Sequence, residues 1–353
     1  MENFDTYTQI CSLLNLWQAF LKASKGRRNK PAVAQFEYNL EGELIRLRDE
    51  LQSETYRPGK YESFIVHEPK RRKISAAPFR DRVVHHALIN VIGPPLERKF
   101  IHDSYANRVG KGTHAALDRC TYFMRRYQYV LPCDVTQFFP SVDHQILRSI
   151  LARTIHDERT LRLIDLILAS SEGILRDEYE MVYFPGDDLF ALHRPRGLPI
   201  GNLTSQFWAN VYLNELDQFV KRVLKVRAYV RYVDDFLLFS DDKTQLRAWR
   251  SAVIEFLAGL RLTLHENRAQ AQMCQRGIPF LGFIVFPDHR RLKPAKGYAF
   301  RRRLRRMAHA CRMGGMKWND LQIRIQAWAA HLAHGDTYGL RRAVLSAEGL
   351  YHE

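Results

Sequence analysis

The stretch RYVDDFLLFS, residues 231–240, decides how this chain folds. Its apolar runs on either side of Asp234 and Asp235 have the length and composition of buried β-strands, so the stretch predicts a hairpin. Two unpaired carboxylates at a buried turn destabilise a protein by several kcal/mol unless a cation compensates them. A lone Asp-Asp pair also occurs in ordinary solvated turns, so the rest of the chain must decide between the two interpretations.

A third aspartate occupies a similar setting. Asp134 follows the apolar run YVLPC and precedes the aromatic pair Phe138 and Phe139. If the strand of Asp134 lies beside the hairpin, three carboxylates converge at one sheet edge. Such a site suits two Mg²⁺ ions about 3.5 to 4 Å apart, which clamp the attacking and leaving oxygens of phosphoryl transfer.

The charge balance points to a polyanionic partner. The 353 residues include 54 Lys plus Arg against 38 Asp plus Glu, a formal net charge of +16, and such a charge attracts nucleic acid over a distance. A solvated basic surface and a membrane-facing basic patch are the alternatives. Because no apolar run approaches the roughly 20 residues of a membrane span and the N-terminus lacks a signal peptide's basic start, we expect no membrane association.

Five cysteines are scattered along the chain without a Cys-x-x-C pair. An odd and dispersed set predicts neither a disulfide framework nor a zinc site. We therefore expect a reducing, cytoplasmic location.

Strands alternate with amphipathic helices and predict an α+β fold with a mostly antiparallel sheet backed by helices. YESFIVHEPKRRKISA predicts two short strands joined by a basic turn, and the helix that follows is expected to end at Gly93, Pro94 and Pro95. The Arg-rich segment from Lys296 to Arg312 predicts a helical module that contacts phosphates, with a merely solvated face as the alternative.

Four motifs in a fixed order carry a family resemblance. They are LPCDVTQFFPSVDH, RGLPIGNLTSQFWANVYLNELD, YVDD and PFLGFIVF. From about Tyr56 to Phe286 the chain resembles the reverse transcriptases. The resemblance implies a right-hand polymerase fold with fingers, an antiparallel-sheet palm that carries the active site, and a helical thumb. The implied segments are an N-terminal helical extension (1–55), fingers (56–125), a palm (126–286, with finger elements interleaved at about 145–195) and a basic thumb (287–353).

The resemblance also implies the residues of the chemistry. Matched by position, Asp134, Asp234 and Asp235 are catalytic and bind two Mg²⁺ ions, for which Mn²⁺ can substitute, with a contribution from the carbonyl of Val135. Asp235 is the least direct of the ligands. Phe139 is the steric gate against a ribose 2′-hydroxyl, with core packing as its alternative role.

Further matched positions concern the nucleotide and the nucleic acid. The dNTP-binding residues are Arg72, Lys70, Phe139, Ile200, Gly201 and Gln206. The template and primer contacts are Tyr232, Leu281, Gly282, Arg302 and Arg305.

One motif departs from most reverse transcriptases. Ile200 stands where a Gln is usual, and Ser205-Gln206 replaces Ser-Pro. This pattern, with GKGTHAAL near residue 110, resembles the reverse transcriptases of diversity-generating retroelements, which are bacterial, archaeal or phage-encoded. The resemblance implies copying of a template-repeat RNA into cDNA, with errors at template adenines, for mutagenic retrohoming into a variable gene. It also implies an RNA/cDNA duplex and an accessory variability determinant protein, a basic homopentamer, as partners.

The same departure bears on fidelity. An Ile offers the incoming nucleotide only apolar contact, and loss of one hydrogen bond, on the order of 1 kcal/mol, changes discrimination severalfold. We therefore expect Ile200, together with Arg72, to set the error rate. Arg268 stands where many relatives have a Lys that protonates pyrophosphate, and an arginine gives up its proton poorly.

Three alternatives stay open. Within the same reaction class the chain could be a retron, group II intron-like or abortive-infection reverse transcriptase. Outside it, the chain could be a non-catalytic nucleic-acid-binding relative, which the presence of all three aspartates opposes. An RNA-dependent RNA polymerase is opposed by Phe139.

Overall fold

Four helices form the N-terminal part of the chain, which the computed structural model describes over residues 5–67, 71–347 and 349–350. They are α1 (Thr6–Cys11), α2 (Leu13–Ser24), α3 (Pro31–Tyr38) and α4 (Leu40–Gln52). Ser12 separates α1 from α2, because its side chain accepts a hydrogen bond from the Asn15 amide and so caps α2.

A hairpin and a long helix follow. β1 (Glu62–Val66) pairs antiparallel with β2 (Arg72–Ala76), which confirms the two predicted strands, and α5 spans Phe79–Glu97. Pro94 and Pro95 lie inside α5, so the prediction that the helix ends there is wrong. Gly93 has no Cβ to collide with the ring of Pro94, which removes part of the clash that normally stops a helix before proline.

A five-stranded antiparallel sheet forms the centre of the fold. Its strands are β3 (Tyr129–Thr136), β4 (Ala228–Tyr232), β5 (Asp235–Ser240), β6 (Thr263–Leu264) and β7 (Gln272–Met273). The order is β4-β5-β3-β6, and β7 also pairs with β3. The predicted hairpin of RYVDDFLLFS is thus β4 and β5, and the predicted α+β class with an antiparallel sheet is confirmed.

Helices surround this sheet. They are α6 (Thr113–Met124), α7 (Phe138–Ser141), α8 (His144–Ala152), α9 (Glu158–Ala169), α10 (Leu203–Gln218) and α11 (Lys243–Gly259). Phe236 and Leu238 of β5 pack into the main core with α5 and α10, whereas Leu237 and Phe239 pack with α6 on the other face. Burial on both faces explains why this strand is continuously apolar instead of alternating.

The C-terminal part adds a small sheet and three helices. These are β8 (Ile278–Phe280), β9 (Phe283–Val285), β10 (Arg290–Leu292), α12 (Pro294–Arg312), α13 (Trp318–Leu332) and α14 (Tyr338–Ser346). The helices share a separate small core in which the rings of Phe300 and Trp328 stack at 3.9 Å.

All five cysteines are buried free thiols, as expected from their spacing. No helix among the described residues combines the length and the apolarity that crossing a membrane requires.

Candidate active site

The two central strands bring Asp134 and Asp235 side by side. In the antiparallel register of β3 and β5, Asp134 lies directly opposite Asp235. Asp234 sits in the two-residue turn between β4 and β5, since Tyr232 pairs with Asp235, and its carbonyl accepts a hydrogen bond from the Val135 amide at 3.3 Å. The structure therefore gathers the three aspartates at one end of the sheet.

The turn that carries Asp234 is strained. Val233, its first residue, has a φ of 56°, a left-handed conformation that is unfavourable for a β-branched side chain. Asp134 and Asp235 are also like charges in directly opposed cross-strand positions, which is destabilising by itself. Folding alone favours neither feature, and strain of this kind clusters at functional sites.

Arg268 places a positive charge next to the aspartates. Its Nη1 atom is 3.4 Å from Asp134 Oδ2, and its side chain is 61% exposed. An ion pair this exposed adds little to stability. Because an arginine holds its proton tightly, the chemistry that Arg268 offers here is charge neutralisation.

The donors at this end of the sheet are of the kind that Mg²⁺ binds. The carboxylates of Asp134, Asp234 and Asp235 and the carbonyl of Val135 are hard oxygen ligands. Asp134 is half-buried and Asp235 is exposed, so an ion can reach them. Within residues 5–67, 71–347 and 349–350, no group of three or more His, Cys, Asp or Glu side chains is arranged to hold a metal ion. The residues fit a divalent cation by donor type, and the metal site with its two ions stays a prediction.

Phe139 lies one short turn beyond the strand of Asp134. Gln137 adopts a left-handed conformation, with a φ of 46°, and starts α7. Phe138 is then fully buried, whereas Phe139 is half-buried and its carbonyl accepts a hydrogen bond from the Leu198 amide at 2.8 Å. The ring of Phe139 packs against the main core and keeps an exposed part, which is compatible with a gate.

The motif that contains Ile200 lies against the β1–β2 hairpin. The amide of Ser75 in β2 donates to the Ile200 carbonyl at 2.9 Å. Gly201 has a φ of 121°, and a Cβ there would lie 3.0 Å from Cγ2 of Ile74, so only glycine fits this crossing. Gln206 is half-buried in the first turn of α10. The structure therefore places Ile200 and Gly201 against the hairpin that carries Arg72.

Asn202 is a residue that sequence reasoning missed. Its Nδ2 donates to the carbonyls of Ser75 and Pro199 at 2.8 and 3.1 Å, and its Oδ1 accepts from the Ala77 amide at 2.9 Å. An Asn just before a helix normally signals an N-cap, yet this side chain makes no capping bond. Its sequence position gave a misleading signal, and its actual role is to tie β2 to the start of α10.

Replacing Asn202 by Ala should lower the free energy of unfolding by about 2 kcal/mol, because the buried Ala77 amide and Ser75 carbonyl lose their partner. Urea unfolding measures the change. Asn319→Ala, an exposed site in α13, is the matched control and should stay within about 0.5 kcal/mol of the parent protein. Equal stabilities for the two variants would contradict the role of Asn202.

Arg72 is exposed at the first position of β2, opposite Val66. Lys70 lies outside the described residues. The neighbouring Lys73 donates a hydrogen bond from Nζ to the Ile174 carbonyl at 2.8 Å, so its ammonium group already makes a contact within the protein. Arg72 is thus better placed than Lys73 for reaching a ligand.

The predicted template and primer contacts lie on one strand, one turn and one helix. Tyr232 is hydrogen-bonded to Thr113 at 3.1 Å between their hydroxyls. Leu281 and Gly282 form the two-residue turn between β8 and β9 with φ values of 45° and 94°. The Gly282 carbonyl accepts a hydrogen bond from the Lys293 amide at 3.1 Å, next to the start of α12.

Arg302 and Arg305 are exposed on α12, whose buried stripe consists of apolar residues and small ones. Its arginines occupy the remaining surface. They form a broad cationic surface suited to a polyanionic backbone.

Comparison with known proteins identifies the family of the chain. The model of the family described as "Reverse transcriptase (RNA-dependent DNA polymerase)" matches residues 66–285. Protein YkfC of Escherichia coli K12 is 26% identical over 283 residues, which is 68% of this chain and 70% of that protein. The group II intron-encoded protein LtrA of Lactococcus lactis is 24% identical over 184 residues, 51% of this chain and 28% of that protein.

Among solved structures, the apo telomerase of Candida tropicalis truncated from its C-terminal domain aligns with a TM-score of 0.48 at 11% identity. The alignment covers 67% of this chain and 55% of that one. Because the matched family region spans more than half of the chain and includes all three aspartates, the chain belongs to the reverse transcriptase family.

Proposed function

We propose that the chain is an RNA-directed DNA polymerase. The observation that carries the proposal is the pairing of Asp134 with Asp235 at the end of the central sheet, inside the matched family region. Members of this family generally use divalent metal ions. When bound at Asp134, Asp234 and Asp235, two Mg²⁺ ions supply charge stabilisation for the attacking and leaving oxygens.

The remaining steps belong to side chains of this chain. Arg72, exposed on β2, binds the triphosphate of the incoming nucleotide through its planar set of donors. Phe139 blocks the space that a ribose 2′-hydroxyl would need. Arg268 neutralises charge beside Asp134, and Arg302 and Arg305 bind phosphates of the template–primer duplex.

We further propose that the enzyme copies a template-repeat RNA into cDNA with errors at template adenines, as in mutagenic retrohoming, and works with a basic accessory variability determinant protein. The support is local to one motif, where Ile200 precedes Gly201 and Gln206 follows Ser205. A Gln at position 200 can hydrogen-bond a correctly paired nucleotide, and a mispaired nucleotide loses that bond. An apolar side chain makes no such bond, so the difference in binding free energy between the two nucleotides is smaller.

Group II intron-like activity is the second candidate. It is favoured by the similarity to LtrA, although the matched part is 28% of that protein. The two candidate functions predict different distributions of misincorporation over the template bases. A group II intron-like enzyme copies its RNA without a need for errors at adenines.

Primer extension on a defined RNA template, followed by sequencing of the cDNA, tests both the polymerase activity and the proposed errors at template adenines. Synthesis with dNTPs supports the polymerase, and its complete absence, with and without the accessory protein, overturns it. Errors concentrated at template adenines support the diversifying function, whereas errors spread evenly over the four bases favour the group II intron-like alternative.

Ile200→Gln should reduce misincorporation opposite template adenine severalfold, because one added hydrogen bond to the correctly placed nucleotide contributes about 1 kcal/mol. Ile200→Val is the matched control, since it keeps an apolar side chain and should leave the error rate unchanged. The backbone bond from Ser75 survives in both variants. An unchanged error rate in Ile200→Gln would show that this residue does not set fidelity.

A further inference from the structure

Arg231, three residues before Asp234, is a charged side chain with no exposed surface. Its partner Asp217 on α10 is equally buried. Nε and Nη2 of Arg231 donate to the two carboxylate oxygens of Asp217 at 2.7 and 2.6 Å, which is a bidentate pair. A buried ion pair is seldom more stabilising than apolar side chains of the same volume, so its presence calls for a reason beyond stability.

The third guanidinium nitrogen reaches the catalytic turn. Nη1 donates to the Val233 carbonyl at 3.1 Å and to Oδ1 of Asn210 at 3.2 Å. Val233 is the residue with the left-handed conformation, and its carbonyl belongs to the peptide that leads into Asp234. A hydrogen bond to that carbonyl opposes relaxation of the strained turn.

The guanidinium itself is held from several sides. Asn210 and Asp217 are seven residues apart on α10, two helical turns, and so lie on one face. Asn210 Nδ2 donates to the Ala106 carbonyl at 2.8 Å, and the Tyr229 hydroxyl donates to Oδ1 of Asp217 at 2.8 Å. The backbone of Arg231 also pairs with the 103–105 segment, which covers the outer edge of β4. The Asp217 carboxylate keeps the pKa of Arg231 above its usual value despite the opposing effect of burial.

We propose that Arg231 is a positioning residue for the polymerase reaction. Held by Asp217 and Asn210, its guanidinium fixes the Val233 peptide and thereby the directions in which Asp234 and Asp235 point. The inference rests on the proposed function of these aspartates. It assigns to the Arg231–Asp217 pair the task of keeping a strained turn in the one conformation that can bind metal.

The experiment separates positioning from stability. The double variant Arg231→Met with Asp217→Asn removes both charges, so no unpaired charge stays buried. The carboxamide oxygen introduced at position 217 can still accept the hydrogen bond from the Tyr229 hydroxyl, and we therefore expect the fold to be retained. We expect a melting temperature lowered by only about a few degrees, because Asn210 Oδ1 and the Val233 carbonyl each lose a donor. The kcat for dNTP incorporation should fall by about tenfold to a hundredfold, with a KM within about threefold of the parent value. Arg231→Lys, which keeps a charge but cannot donate in a fork, should also lose kcat.

Two further readouts do not require turnover. In the double variant, hydrogen exchange of the peptide spanning residues 231–236 should be about tenfold faster, and Mn²⁺ titrated alone should bind more weakly. Arg153→Met with Glu215→Gln is the matched control, because it removes a more exposed ion pair, between the end of α8 and Glu215 of α10, away from the turn. It should leave exchange and Mn²⁺ binding unchanged.

A double variant with parental kcat and parental exchange, whatever its stability, would show that the pair does not position the turn and would overturn the inference. Failure of the proposed function would look different, since the parent chain itself would then make no cDNA. In that case hydrogen exchange and Mn²⁺ binding still test whether Arg231 positions the turn. Parental values for both in the double variant would overturn this role of Arg231.

Discussion

Replacing Asp234 and Asp235 together by Asn should abolish DNA synthesis, with kcat lowered at least about a hundredfold, because divalent ions at these carboxylates supply several kcal/mol of charge stabilisation. Binding of RNA should persist, since the exposed arginines of α12 are untouched. Primer extension and a filter-binding assay on the same preparations measure the two effects.

The geometry adds a stability component to this result. Asp235 lies directly opposite Asp134, so removing its charge relieves a cross-strand repulsion, and the variant should be at least as stable as the parent protein. Asp241→Asn is the matched control, because this exposed residue lies at the other end of β5 and should keep full activity. Undiminished synthesis in the Asp234 and Asp235 variant would leave a nucleic-acid-binding protein as the better description.

Phe139→Ala should raise kcat/KM for ribonucleotides by about tenfold, because the half-buried ring no longer fills the space of the 2′-hydroxyl. Some stability is lost as well, about 2 kcal/mol and less than for a fully buried Phe, because the ring also packs against the core. Single-nucleotide incorporation with dNTP and NTP pairs measures the ratio.

The neighbouring ring provides the control for this experiment. Phe138→Leu alters a side chain that is 2% exposed and in edge contact with Phe139. It should reduce stability and leave the sugar preference unchanged. If the two variants admit ribonucleotides equally, or neither does, Phe139 acts through packing and not as a gate.

Much of the fold could be predicted from local patterns. The apolar runs around Asp134 and Asp234 have the signature of strands, and the pairing of β4 with β5 follows from the hairpin that residues 231–240 encode. The strands β1 and β2 were also evident, as two short runs on either side of a basic segment. These features depend on neighbours in the sequence, which is why a single chain reveals them.

What could not be predicted depends on contacts between distant segments. The side chain of Asn202 is hydrogen-bonded to Ser75 and Ala77, which lie 127 and 125 residues earlier in the chain. Its position before α10 resembles that of an ordinary N-cap residue. The pairing of Arg268 with Asp134 spans 134 residues. Continuation of α5 through Pro94 and Pro95 occurs where this helix packs against α10, with Phe207 next to Gly93. Such features require the tertiary structure.

The burial of the cysteines has a practical consequence for thiol chemistry. Burial raises the pKa of the Cys11 and Cys274 thiols to about 12 and raises those of Cys120 and Cys133 as well. A protonated, inaccessible thiol reacts slowly with maleimides and oxidants. The native thiols should therefore react little with a thiol-directed fluorescent label. A single Cys introduced on the exposed face of α12 could then be labelled selectively without removal of any native thiol.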